Sequence, residues 1–171
     1  MDPSFHPPRA EPATPHPPNP GAAPVGRVLD LTPLELQVAI YLRLWCSGPR
    51  GQAEVWQDLV ARLGSPEAAG ALKAFEDFVR AVLVAARRPL SRHAVDCPCL
   101  GGDEATIVRV VVLAAAGEPE EAGLLLSWLV APSAVARASA LAEDLGLRLV
   151  AGSLPPRSYA GSAPAGRPDA S

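Results

Sequence analysis

The feature that most constrains this chain is where its prolines fall. Pro3, Pro7, Pro8, Pro12, Pro15, Pro17, Pro18, Pro20 and Pro24 crowd the start, and Pro155, Pro156, Pro164 and Pro168 the end. Proline lacks an amide donor, and these stretches hold little apolar bulk to offset the entropy of ordering them. The composition predicts disordered tails over 1–27 and 151–171, with polyproline II character. Between them, residues 28–150 form one domain of about 120 residues, enough for a single core.

Inside that domain proline and glycine mark helix ends. Thr32-Pro33-Leu34-Glu35 combines an N-cap, a first-turn proline and the acidic partner of a capping box. The helix it opens runs to about Cys46, where Ser47-Gly48-Pro49 stops it. Only Glu35, Gln37 and Arg43 interrupt its apolar residues, a pattern that predicts a central helix. A second helix over about 51–63 carries Val55, Trp56, Leu59, Val60 and Leu63 at helical spacing, and Gly64 ends it. Ser65-Pro66-Glu67 starts a third, reaching about Ala86 along the seam Ala68, Leu72, Phe75, Val79, Val82.

Residues 87–103 have no periodicity. A connection this long inside a compact domain is functional or internally tethered. Asp103 caps a segment over 104–116 that reads as a buried helix, with a strand pairing with 147–150 as the alternative. Glu118, Glu120 and Glu121 suit a first turn, opening a helix that runs to Pro132. A last helix covers about 133–145, closed by Gly146. The fold class is all-α: a compact bundle of five or six antiparallel helices. Trp45, Trp56, Phe75, Phe78 and Trp128 all fall in helices, where core packing accounts for them.

The net charge of −3 offers no electrostatic reason to expect nucleic acid or anionic lipid. No apolar run approaches the ~20 residues a membrane-spanning helix needs, and no secretory h-region is visible. Three cysteines, an odd number, fit a reducing compartment, so a cytoplasmic location is expected.

The candidate site lies in the long connection. His93, Cys97 and Cys99 form H-x3-C-x-C, and Cys46 is the remaining cysteine. Three thiols and an imidazole make the donor set of a Cys3His zinc site, and zinc would tether a loop poor in apolar residues. The plainer reading makes Cys46 a small buried hydrophobe, with His93 bonded to a carbonyl. A second chemical reading uses Cys97 and Cys99 as a redox or nucleophilic pair, with His93 and nearby arginines lowering a thiol pKa. A third treats residues 55–80 as a helix-turn-helix, although Glu67, Glu76 and Asp77 make the would-be recognition helix acidic. Phosphate-binding glycine loops, the G-x-S-x-G elbow and H-E-x-x-H are absent from the sequence.

Pro15-His16-Pro17-Pro18 and Pro155-Pro156-Arg157 read as linkers, or as extended docking peptides. The expectation is a non-enzymatic interaction or regulatory module with an unidentified protein partner, stabilised by zinc on Cys46, His93, Cys97 and Cys99. A thiol-dependent redox protein is the runner-up.

Overall fold

Six helices and a two-stranded ribbon make up the computed structural model, which describes residues 19–153. In chain order they are β1 (Pro24–Arg27), α1 (Pro33–Trp45), α2 (Pro49–Leu63), α3 (Ser65–Ala85), β2 (Cys99–Gly101), α4 (Gly102–Ala115), α5 (Pro119–Leu129) and α6 (Val135–Ser153). Short 3-10 turns at Pro20–Ala22, Val28–Asp30 and Pro132–Ala134 complete the chain. Residues 1–18 and 154–171, which belong to the expected tails, lie outside the described residues.

The local signals act as their chemistry requires. The Glu35 carboxylate accepts the Thr32 amide at 2.9 Å and the Thr32 hydroxyl at 2.7 Å, closing the start of α1. Gly64 ends α2 and begins α3 in one residue. Its φ of 79° is a left-handed conformation that glycine adopts without strain.

The segment 104–116 is helical, so the strand alternative falls away. α4 is also the central element, packing against α6, α5 and α1. It buries Ile107, Val108, Val110, Val111, Leu113 and Ala114. β-branched residues fill the middle of the domain there because burial on several sides outweighs their modest helix propensity. α1 is less enclosed than its composition implies. Val38, Ala39, Tyr41 and Leu42 are buried, with Tyr41 and Trp45 each edge-on to Phe75. Leu36, Ile40 and Leu44, however, line an open groove against α2.

Three expectations need correction. Residues 19–27, assigned to the N-terminal tail, belong to the fold. β1 pairs antiparallel with β2 in the register Pro24↔Gly101, Gly26↔Leu100 and Arg27↔Cys99. A two-stranded ribbon consists of edges only, so Pro24 takes a place that demands no donor. The last helix does not stop at Gly146 but runs to Ser153. A Cβ at Gly146 would stand 2.6 Å from Ala115 Cβ and 2.8 Å from the Val111 carbonyl oxygen, so this glycine serves the close approach of α6 to α4. Trp128 is not a core residue: it is 77% exposed, and Trp56 is also open to solvent.

Candidate functional site

The connection from α3 to β2 is held by two carboxylates in the first turn of α4. Asp103 and Glu104 are both buried, in the place where a helix macrodipole favours negative charge. Glu104 belongs there by a local rule as well. Its Oε2 accepts the Gly101 amide at 2.9 Å, the acidic half of a capping box.

Opposite Glu104 stands Arg43 of α1, and neither side chain is exposed to solvent. Arg43 Nε donates to Glu104 Oε1 at 2.7 Å and Nη2 to Oε2 at 3.0 Å, a bidentate pair. The remaining guanidinium hydrogens go to the loop backbone. Nη1 donates to the carbonyls of Ala94 at 3.2 Å and Cys97 at 2.7 Å, and Nη2 to that of Cys99 at 2.6 Å. All the donor capacity of an arginine is thereby used. Glu104 in turn accepts the His93 amide at 3.0 Å, and His93 Nδ1 lies 2.9 Å from its Oε2. An ionised carboxylate only accepts, so His93 carries its proton on Nδ1. Burial pushes the Glu104 carboxyl up. Arg43, the Gly101 and His93 amides and the His93 ring outweigh that and pull it down to about 2.

Asp103 fastens the other half of the loop. Arg88 binds it in a fork at 2.8 and 2.6 Å, and the Ser91 amide donates to it at 2.8 Å. Burial opposes ionisation here too, but Arg88 and the Ser91 amide hold this carboxyl below its ordinary range. Arg88 also reaches Asn19 Oδ1 at 3.0 Å, and the Asn19 amide group donates to the Pro89 carbonyl at 2.9 Å. The loop, the N-terminal segment and the start of α4 thus form one polar assembly. No buried side-chain nitrogen or oxygen among the described residues lacks a partner.

The expected zinc quartet of Cys46, His93, Cys97 and Cys99 is not brought together. Among the described residues no three His, Cys, Asp or Glu side chains are placed to hold a metal ion. His93 is turned to Glu104. Cys46 caps α1 and lines a cavity of about 200 Å³ with Leu42, Leu83, Leu90 and Ile107, while Arg92 donates to its carbonyl at 2.9 Å. Burial pushes the Cys46 thiol up. The neighbouring Cys97 thiol, hydrogen-bonded to Cys99, raises the Cys99 thiol. The Cys99 shift disfavours its thiolate, the reverse of what an activated thiol needs.

The segment considered as a helix-turn-helix is α2 and α3. α3 buries Ala68, Ala71, Ala74, Phe75, Phe78, Val79 and Val82 against its neighbours, and its Lys73 is paired with Asp77 at 2.6 Å.

From sequence, Arg43 stood only as a polar interruption of the first helix, Arg88 only as one of the arginines near the thiols, and Asp103 as a helix cap. One signal was available: Arg43 is the only cation in a largely apolar helix, and a charge in such a setting is buried only with a partner.

A second feature lies on the surface. Leu124 and Trp128, one turn apart on α5, are 68% and 77% exposed, and Leu83 and Val84 near the end of α3 are 52% and 82% exposed. The ends of these two helices are tied together. The Arg87 amide donates to the Leu129 carbonyl and the Ala131 amide to that of Ala85, each at 2.9 Å. No helix among the described residues is long and apolar enough to cross a membrane.

No protein-family model matches the chain, and no curated protein or solved structure matches it with significant similarity.

Proposed function

We propose that this protein is a non-enzymatic helical interaction module that receives a protein partner on the exposed face of α5. The observation carrying the reading is the pair Leu124 and Trp128, large apolar side chains one helical turn apart and both open to solvent. A tryptophan left in water on a rigid helix is the residue type that most often anchors a protein interface. Leu83 and Val84 on the adjoining end of α3 would extend the apolar area. The locked 86–101 connection supports the same reading, since it holds the α3 end and α4 in fixed relation.

The zinc reading loses its motive here, because Arg43–Glu104 and Arg88–Asp103 supply the tether for which a metal was invoked. The module is accordingly proposed without one.

The test is affinity capture from the native cell extract with the full chain and with Trp128→Asp. The expected result is a partner retained by the parent and lost by the variant, with unchanged thermal unfolding. If both chains recover the same proteins, α5 is not the docking face and the reading fails. Intact mass under native conditions is expected to equal that of the bare chain. One bound zinc would instead restore the assignment to Cys46, His93, Cys97 and Cys99.

A further inference from the structure

The groove between α1 and α2 is unused by that reading, and it has an occupant within reach. Its α1 wall is apolar: Leu36, Ile40 and Leu44, with the Tyr41 ring beneath. Its α2 wall carries Glu54, Asp58 and Arg62. Tyr41 donates to Asp58 Oδ2 at 2.6 Å and Arg62 Nε to the same oxygen at 2.7 Å. Oδ1 of Asp58 has no hydrogen-bond partner among the described residues and remains available to the groove. Glu54 has only an open pairing at 3.4 Å with Arg50, which is almost fully exposed. With Arg62 set against Asp58, the α2 wall keeps one net negative charge beside apolar contact, which suits an apolar segment carrying one cation.

The sequence supplies such a segment directly after α6. α6 ends at Ser153, and Gly152 packs so closely on Leu63 that a Cβ there would collide with it. Leu63 adjoins Arg62, the end of the groove's α2 wall. The next residues are Leu154-Pro155-Pro156-Arg157-Ser158-Tyr159. If extended at about 3.1 Å per residue, the chain would carry Arg157 about 12 Å beyond Ser153. Measured back from Leu63 at about 1.5 Å per residue, Asp58 and Glu54 lie about 8 and 14 Å along α2. A segment extended in this way would be long enough to bring Arg157 between the two carboxylates.

We infer that the α1–α2 groove is a docking surface for a short apolar-proline-arginine segment, and that Leu154–Tyr159 of this chain occupies it. Prolines on an apolar, aromatic-bearing groove lose little entropy on docking. A tether of a few residues gives an effective concentration of about millimolar, so a weak contact suffices.

The test uses the full ¹⁵N-labelled chain and compares amide spectra of the parent, Arg157→Glu, Glu54→Lys and the double variant. Each single change is expected to shift amides within 36–44 and 54–62 and to lower the heteronuclear NOE of 154–159; the double variant should restore both. Arg157→Glu changes none of the described residues, so the folded domain is kept for the comparison. If it leaves the groove amides unmoved, the proposal is wrong. If the shifts depend on protein concentration, the segment comes from a second copy and docking within one chain is refuted. Neither outcome bears on Trp128, so this inference and the proposed function fail separately.

Discussion

Replacing Glu104 by Gln removes one formal charge and little else. The side chain keeps its size, but one of two accepting oxygens becomes an NH2 group. In the parent those oxygens accept two bonds from Arg43, the His93 and Gly101 amides, and face the His93 ring nitrogen. The amide can accept at only one atom, so donors on the other side meet a donor. Arg43, with no exposure to solvent, is left as a buried cation without its counter-charge. Breaking a buried pair from one side costs about 3–5 kcal/mol, a large part of the roughly 5–15 kcal/mol that holds a domain folded. At about 3–5 °C per kcal/mol for a domain of this size, the melting temperature should fall by about 10–25 °C. Thermal and urea unfolding followed by tryptophan fluorescence would measure it. Amide exchange should rise first in the 86–101 connection. Arg43→Met with Glu104→Leu should not restore full stability, because the Ala94, Cys97 and Cys99 carbonyls that Arg43 satisfies would stay orphaned. A Glu104→Gln loss below about 1 kcal/mol would refute the view that this pair holds the loop.

The acid limb should follow from the same carboxylate. Its folded pKa of about 2 lies below the unfolded value of about 4.3, so its contribution is full above that value and disappears as pH falls toward 2. That contribution is roughly 3 kcal/mol, at about 1.4 kcal/mol per pKa unit. Urea midpoints between pH 6 and pH 2 should drop steeply in the parent and less in Glu104→Gln; parallel curves would contradict this. Gly146→Ala offers a test of opposite sign to helix propensity, which alone would favour alanine by about 1 kcal/mol. The contacts of 2.6 and 2.8 Å that its Cβ would make should instead destabilise the domain by about 1–3 kcal/mol, as measured by denaturant unfolding. A gain in stability would mean that α6 and α4 can move apart freely.

Much of the architecture was legible from the residues alone. The cap at Thr32, the Gly64 turn and the helical seam through Phe75 and Val79 act over a few consecutive positions, and their physics is contained in the sequence. Proline composition was less reliable near the boundary. Pro24 reads as tail, yet a strand edge with β2 to pair against accommodates it. The two glycines differ for a comparable reason: Gly64 takes a left-handed turn, whereas Gly146 makes room for a neighbouring helix.

The long 87–103 connection was recognisable as needing a tether, because it contains too little apolar surface to hold itself. What tethers it was decided by packing. Arg43 and Glu104 lie 61 positions apart, and nothing local to either identifies the other. Only when α4 packs across α1 do a buried cation and a helix-start carboxylate meet, and the loop carbonyls close around them. Linear order determined where most of the helices begin and end, α6 excepted, since those limits depend on neighbouring backbone groups. The tertiary fold chose which charges pair, which tryptophan stays in water and which cysteines never converge, since those depend on the spatial relation of whole helices.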